Sequence, residues 1–314
     1  MRAVGFTEFG GPGVLHEVEL PSPEPGTGEV RVRVGAAAVS PTDTMRRSGT
    51  GAQNGQRSAT PYVIGMDVAG VLEKIGPGTD TDLAVGEHVM GIVVPQGSHG
   101  GYAEQVVLPA ASVVRVPAGV DDVAASTLPM NGLTARMTLD VLGLKAGQVI
   151  AVTGAAGVYG GYVVQMARAQ GLRVVADAAL RDRELVRELG AHVVVDRGDD
   201  VAEHIRRAVP GGVDGLADGA VMDGKVIDAV RDGGRIATVR NYMGAPVRGI
   251  TYHPVGVRAY ATDRARLDAL RDLVEQGGLT PRVAGTYPAA QAAEAHRRLE
   301  AGGTRGRLVL TFGE

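Results

Sequence analysis

The rhythm of apolar and polar positions changes about a third of the way along the chain. Before residue 121, apolar residues come in short runs broken by Gly, Pro and Asp. Residues 31–39 (RVRVGAAAV) alternate and then turn continuously apolar, which predicts a half-buried strand with a fully buried end. Residues 68–75, 87–94 and 102–108 predict further strands between turn residues. From residue 121 onward, apolar runs alternate with stretches of helical period. Strands are predicted at 149–153, 173–176, 192–195, 213–217 and 235–239. Helices are predicted between them at 159–170, 182–189, 199–208 and 223–231. Repeated strand–helix alternation argues for an α/β fold with a parallel sheet covered on both faces. Residues 264–275 place Leu267, Leu270, Leu273 and Val274 on one side of a helix. A helix at 289–299 precedes a last strand at 306–312.

Composition narrows the function classes. A chain of 314 residues suggests two domains, at about 100–200 residues each. It has no cysteine, which excludes disulfides and thiolate metal sites. The 32 Lys+Arg against 35 Asp+Glu give no basis for binding nucleic acid or an anionic membrane. Aromatics are only 4% and tryptophan is absent, which argues against base-stacking platforms. No signal-peptide pattern and no apolar stretch of about 18 uncharged residues is present, so a cytoplasmic protein is expected. Residues 48–60 (SGTGAQNGQRSAT) are polar and Gly-rich, which predicts a surface loop of the kind that borders sites.

The strongest local signal for chemistry is VIAVTGAAGVYG at 149–160. A strand runs into a Gly-rich turn and then a helix. That geometry aims backbone N–H groups and a helix N-terminus at an anion, typically a dinucleotide pyrophosphate. The turn opens a run of strand–helix units, which is the context such a motif requires. An acid for the adenine ribose is expected about 20 residues later. Asp177 lies near that place, followed by Ala178.

With these segments in view, the chain resembles the zinc-free, quinone-oxidoreductase-like branch of the medium-chain dehydrogenase/reductases. The resemblance is carried by SPTDTMRRSG at 40–49, PYVIGMDVAG at 61–70, VGEHV at 85–89, GGYAE at 100–104, LPMNGLTA at 128–135 and GRLVL at 306–310. It implies a mostly β, GroES-like catalytic domain over residues 1–120 and 260–314. It also implies a doubly wound Rossmann domain over 121–259. In zinc-dependent relatives the metal is held by Cys, His and Cys. Those positions are Ser40, Met66 and Met130 here, and a hydroxyl with two thioethers makes no useful zinc site. No metal is expected.

The resemblance implies NADPH-dependent reduction of a quinone or an α,β-unsaturated carbonyl by direct hydride transfer. It places the cofactor against Asn131, Thr134 and the turn residues Ala156, Gly157, Val158 and Tyr159. It adds Val239 and Arg240 after the 235–239 strand, and Arg307 near the C-terminus. Arg181, Arg183 and Arg197 would supply guanidinium forks for the 2′-phosphate. Ser40, Tyr62 and Tyr159 are the candidate catalytic side chains, with His99 a weaker proton donor. Asp67 and Glu104 belong to segments the family uses for folding, and Tyr102 reads as a core aromatic. The turn departs from the family's Ala-Ala-Gly-Gly-Val-Gly at Val158 and Tyr159, and Arg240 replaces a glycine. These departures leave two alternatives open. NADH could serve in place of NADPH. Otherwise cofactor binding is lost and the fold hosts a non-redox cyclase or isomerase, with Tyr159 filling the vacated space and acting as an acid. Relatives pair edge strands of their nucleotide domains, so a homodimer through 247–260 is expected, with its pairing broken at Pro254.

Overall fold

The computed structural model describes residues 1–50 and 60–313. The chain divides into two compact units. One comprises Met1–Met130, Tyr260–Glu275 and Pro281–Glu314; the other comprises Asn131–Ala259 and Gln276–Thr280. The predicted 48–60 loop lies mostly outside the described residues. Ser48 ends a helix there, and Gly49 closes it in the left-handed conformation at φ 77°.

The first unit is mostly β. Its strands are β1 (Arg2–Phe6), β2 (His16–Glu19), β3 (Glu29–Val39), β4 (Tyr62–Val63), β5 (Asp67–Ile75), β6 (His88–Ile92), β7 (Gln105–Pro109) and β8 (Val113–Arg115). Two short helices join them, α1 (Pro41–Ser48) and α2 (Asp122–Ala125). β3 explains the architecture. Val30, Val32 and Val34 are buried while Arg33 is exposed, so its first half has one wet face. Ala36 to Val39 are buried on both faces, as the continuous apolar run predicts. β3 is antiparallel to β5, β7 and the C-terminal strand Arg307–Thr311. Tyr102 is core, with no exposed surface, but it lies outside the predicted 102–108 strand. Its N–H donates to the Ile64 carbonyl instead of continuing β7.

The second unit carries the remaining part of α3 (Pro129–Leu142) and six parallel strands. These are β9 (Val149–Thr153), β10 (Arg173–Ala178), β11 (Val193–Asp196), β12 (Val213–Asp218), β13 (Val230–Thr238) and β14 (Thr251–Pro254). They lie in the order β11-β10-β9-β12-β13-β14, the 3-2-1-4-5-6 arrangement of a dinucleotide-binding sheet. Crossovers run through α4 (Val158–Ala169), α5 (Arg183–Glu188) and α6 (Val201–Ala208). The chain then adds α7 (Arg264–Glu275), β15 (Val283–Pro288), α8 (Ala292–Glu300) and β16 (Arg307–Thr311) to the first unit.

Two predicted elements need correction. The helix expected at 223–231 is a 3-10 helix over Asp223–Ala229, and Val230 already belongs to β13. The Asp218 carboxylate accepts the N–H groups of Met222 and Asp223, which fixes a tight entry with Val221 at φ 58° and Asp223 at φ 55°. The edge strand expected across 247–260 is shorter, only Thr251–Pro254. Pro254 has no N–H to extend the ladder, and a 3-10 turn follows at Val257–Tyr260.

Candidate functional site

The glycine turn joins β9 to α4. Gly154 takes φ +69°, a left-handed conformation that a side chain resists. Its carbonyl accepts the Gly157 N–H at 3.0 Å, closing the turn. Gly157 is the extended N-cap of α4, so the first N–H groups of the helix have no intrahelical acceptor. At Gly160 a Cβ would lie 2.4 Å from the Gly154 oxygen, so the first helical turn needs glycine to pack against the strand end. These features fit a dinucleotide pyrophosphate.

Asp177, near the end of β10, holds the turn from beneath. Its Oδ1 accepts the Ala155 N–H at 3.1 Å, and the residue is buried. Burial pushes its pKa up, while the turn N–H groups and the Arg197 cation pull it down. The carboxylate is therefore occupied with the turn. Ala178 beside it is also buried.

The altered positions in the turn pack inward. Val158 is buried. The Tyr159 ring lies over Gly219, where a Cβ would come within 2.9 Å of Cδ1. Its hydroxyl is 2.8 Å from Thr138 Oγ1. Thr138 has one proton and donates it to the Thr134 carbonyl at 2.9 Å, so Tyr159 is the donor of the pair. Burial and the nearby Asp218 raise the Tyr159 pKa well above that of a free phenol. Its proton is committed to α3. Asn131 and Thr134 are buried on the same helix, and Asn131 Nδ2 has no hydrogen-bond partner among the described residues.

Of the three predicted phosphate arginines, Arg183 is paired with Asp196. Arg181 is largely exposed, with its nearest carboxylate, Asp182, at 3.9 Å. Arg197 is exposed on the loop after β11. Val239 is half-buried at the end of β13, and Arg240 beside it is exposed. Sequence reasoning missed Thr153 and Asp218 at neighbouring strand ends. The Thr153 hydroxyl donates to Asp218 Oδ1 at 2.7 Å and receives the Ala220 N–H at 3.2 Å. Their position at the carboxyl ends of β9 and β12, where ligands of such sheets sit, was the available signal.

The first unit holds the other candidates. Ser40 is fully buried and caps α1, its N–H donating to Asp43 Oδ2 at 2.8 Å. Met66 and Met130 are buried too. This donor set, a hydroxyl and two thioethers, does not fit zinc. Asp67 Oδ1 accepts the Met130 N–H at 2.6 Å. Burial pushes Asp67 up to about 7, opposed by the Arg307 cation. Arg307 is buried beside these carboxylates and donates to the Val39 carbonyl at 3.3 Å. Tyr62 stacks on Phe9 with centroids 5.5 Å apart and leans on Phe6, an aromatic trio at β4. His99 spends its Nε2 on the Val107 carbonyl at 2.8 Å. Glu104 accepts the Arg2 N–H at 2.7 Å and pairs with the Arg2 guanidinium at the surface.

Comparisons with known proteins agree with this arrangement. Residues 26–118 match the alcohol dehydrogenase GroES-like domain, and residues 189–310 match the zinc-binding dehydrogenase family. A 2-haloacrylate reductase from Burkholderia sp is 32% identical, with 96% of each chain covered. A quinone oxidoreductase from Pongo abelii is 29% identical over 99% of this chain and 97% of its own. Among solved structures, an NAD-dependent alcohol dehydrogenase superposes at TM-score 0.86, with 32% identity and full coverage of both chains. A mycobacterial protein complexed with NADPH superposes at 0.85, with 31% identity over 99% of this chain and all of its own. A GroES-like unit, a dinucleotide-binding sheet and full-length relatives that are oxidoreductases converge. The chain belongs to the medium-chain dehydrogenase/reductase superfamily, in its zinc-free quinone-oxidoreductase-like branch.

Proposed function

We propose that this protein is an NADPH-dependent reductase of a quinone or an α,β-unsaturated carbonyl that works without a metal. The observation that carries the reading is the turn itself. Gly154, Gly157 and Gly160 keep the cradle open, Val158 is buried, and Tyr159, half-buried, lays its ring on Gly219 and its hydroxyl on Thr138. The backbone of Ala156 to Tyr159 would hold the pyrophosphate, with Asn131 and Thr134 toward the nicotinamide. When bound, the nicotinamide supplies a hydride. The protein's own part is to orient, exclude water and stabilise charge.

Preference for NADPH rests on two observations. Asp177 is turned toward the backbone of the turn, so its charge is satisfied there. Arg197, exposed on the neighbouring loop, offers a guanidinium to a phosphate dianion. The Tyr159 proton is spent on Thr138, which weighs against the cyclase or isomerase reading that needs it as an acid. Ser40, whose backbone N–H shares the Asp43 carboxylate with the Gly65 N–H, stays the candidate hydroxyl of the first unit.

Following NADPH absorbance with a panel of quinones and enones tests this. Turnover of at least one acceptor is expected. Calorimetry should show NADPH binding more tightly than NADH, by about tenfold for one charge-assisted contact. Arg197→Glu should reverse that order. A flat trace with no heat of NADPH binding rejects the reading. A homodimer through β14 belongs to the same proposal, because Met243 and Val247 stand exposed just before that edge strand. Light scattering that shows only monomer at micromolar concentration rejects it.

A further inference from the structure

Behind Ser40, in the first unit, runs a chain of buried polar side chains that neither the motif nor the cofactor reading uses. Arg47, Tyr102 and His296 are 2%, 0% and 0% exposed. Arg47 lies on α1, Tyr102 before β7 and His296 on α8. Arg47 Nη1 is 3.1 Å from His296 Nδ1. His296 Nε2 is 3.2 Å from the Tyr102 hydroxyl. That hydroxyl reaches Asp43 Oδ2 at 3.4 Å. At the outer end, Arg47 Nη2 donates to Glu300 Oε1 at 2.5 Å, and Nε donates to the Gly10 carbonyl at 3.1 Å.

The direction of every bond follows from chemistry. A guanidinium only donates, so His296 Nδ1 accepts and Nε2 carries the ring proton. Burial and the Arg47 charge hold His296 down at about 3, so the ring is neutral at any working pH. Nε2–H then donates to the Tyr102 oxygen, and the phenol proton turns to Asp43. Bonds aligned in one sense polarise one another. Proton hopping from the surface is blocked, because Arg47 does not give up a proton. What the chain delivers is orientation and field.

Its end point is a carboxylate that also accepts the Ser40 N–H at 2.8 Å and the Gly65 N–H at 3.1 Å. The Tyr102 ring lies against Gly65, which sits at φ +100° with room for no Cβ; one would fall 2.4 Å from Cδ1. One carboxylate thus fixes two segments, the one bearing Ser40 and the one bearing Met66 and Asp67. We propose that Arg47, His296 and Tyr102 are positioning residues: a one-directional relay that holds the Asp43 carboxylate, and through it the backbone of Ser40 and Gly65, in the arrangement turnover requires. The effect on catalysis rests on the reductase function proposed above; the relay itself does not.

Tyr102→Phe removes one oxygen and leaves the ring. It should lower kcat about tenfold with KM within twofold, the penalty of a small displacement of reacting groups. Asp43 loses a donor to its ionised form. Burial already raises Asp43, opposed by the Ser40 and Gly65 bonds and the Arg307 cation, with Asp67 the neighbouring like charge, so the acid limb of the kcat profile should move to still higher pH. His296→Gln keeps an acceptor for Arg47 and a donor for Tyr102, and should retain activity within about threefold, whereas His296→Leu should lose at least tenfold. Unchanged kcat and pH profile in folded Tyr102→Phe overturns the proposal. Equal losses in the Gln and Leu variants overturn it as well. Imidazole 15N shifts give a readout independent of turnover. A neutral Nε2–H ring from pH 6 to 8 is expected, and an Nδ1–H or titrating ring overturns the relay. A wild-type protein that shows this ring but reduces nothing would fail the function and not the relay.

Discussion

The glycine turn of the second unit and the polar relay of the first hold their shapes by opposite means. The turn lies within a motif of twelve contiguous residues, and its shape comes from absent side chains and backbone bonds, such as Gly157 N–H to the Gly154 carbonyl. The relay is built from side chains, and its Arg47–Glu300 link alone spans 253 positions. Failure differs accordingly. Adding atoms damages the turn, whereas removing atoms, or changing a charge, damages the relay and its surroundings. Variants at each place can break this contrast or sharpen it.

The largest effect should be electrostatic and belong to the first unit. Asp67 sits beside the relay's end, close enough to Asp43 for like charges to interact, and its pKa rises from 3.8 to about 7, chiefly by burial. The folded state then binds more protons than the unfolded chain between these two values. Stability is fully present below pH 3.8 and is lost as pH rises toward 7. At 1.36 kcal/mol per pKa unit, the window is worth at most ~4 kcal/mol. Asp67→Asn keeps an oxygen for the Met130 N–H and cannot ionise. Urea unfolding at several pH values should show the wild-type stability falling relative to that of the Asn variant as pH rises from about 4 to 7. Equal slopes in the two proteins would show that burial at Asp67 carries no electrostatic cost.

The steric counterpart is Gly160→Ala. The new methyl would meet the Gly154 oxygen at 2.4 Å and the Ala155 Cα at 2.9 Å, both rigid backbone. Overpacking of this kind costs about 1–3 kcal/mol. NADPH affinity should fall with it, because the turn itself must move. A variant with wild-type urea midpoint and wild-type heat of binding would mean the turn is softer than its contacts indicate.

How far each region could be read in the sequence follows from the same contrast. The turn was legible because strand, glycines and helix are consecutive and each has a local rule. The parallel sheet was legible because its strands are apolar runs at regular spacing. β14 was overextended because Val247, Ile250 and Tyr252 are apolar whether they lie in a strand or in the bend that precedes one. The 3-10 helix at Asp223–Ala229 was read as regular because the carboxylate that tightens its entry, Asp218, acts across a turn. His296 carried no local signal. Its partners lie at 47 and 102, and its neighbours on α8 give only an amphipathic pattern. Asp67 was set aside as a folding residue from its segment alone, and the Met130 N–H it accepts lies 63 positions away, beyond any local pattern.

The smallest effect tests whether a side-chain bond inside the second unit also has a fixed direction. Thr138 gives its only proton to the Thr134 carbonyl, so the Tyr159 hydroxyl donates to Thr138. Tyr159→Phe removes that donor and leaves the threonine oxygen lacking one of two partners, for a cost of about 1 kcal/mol. Thr138→Val removes the acceptor and strands the buried phenol proton, which should cost about 1–3 kcal/mol. With Thr138→Val already in place, adding Tyr159→Phe should recover part of the loss, because the stranded donor goes with it. Thermal unfolding of the two single variants and the double variant closes the cycle. A phenylalanine variant less stable than the valine variant would reverse the assigned direction. It would also return the Tyr159 proton to the list of groups free to act as an acid.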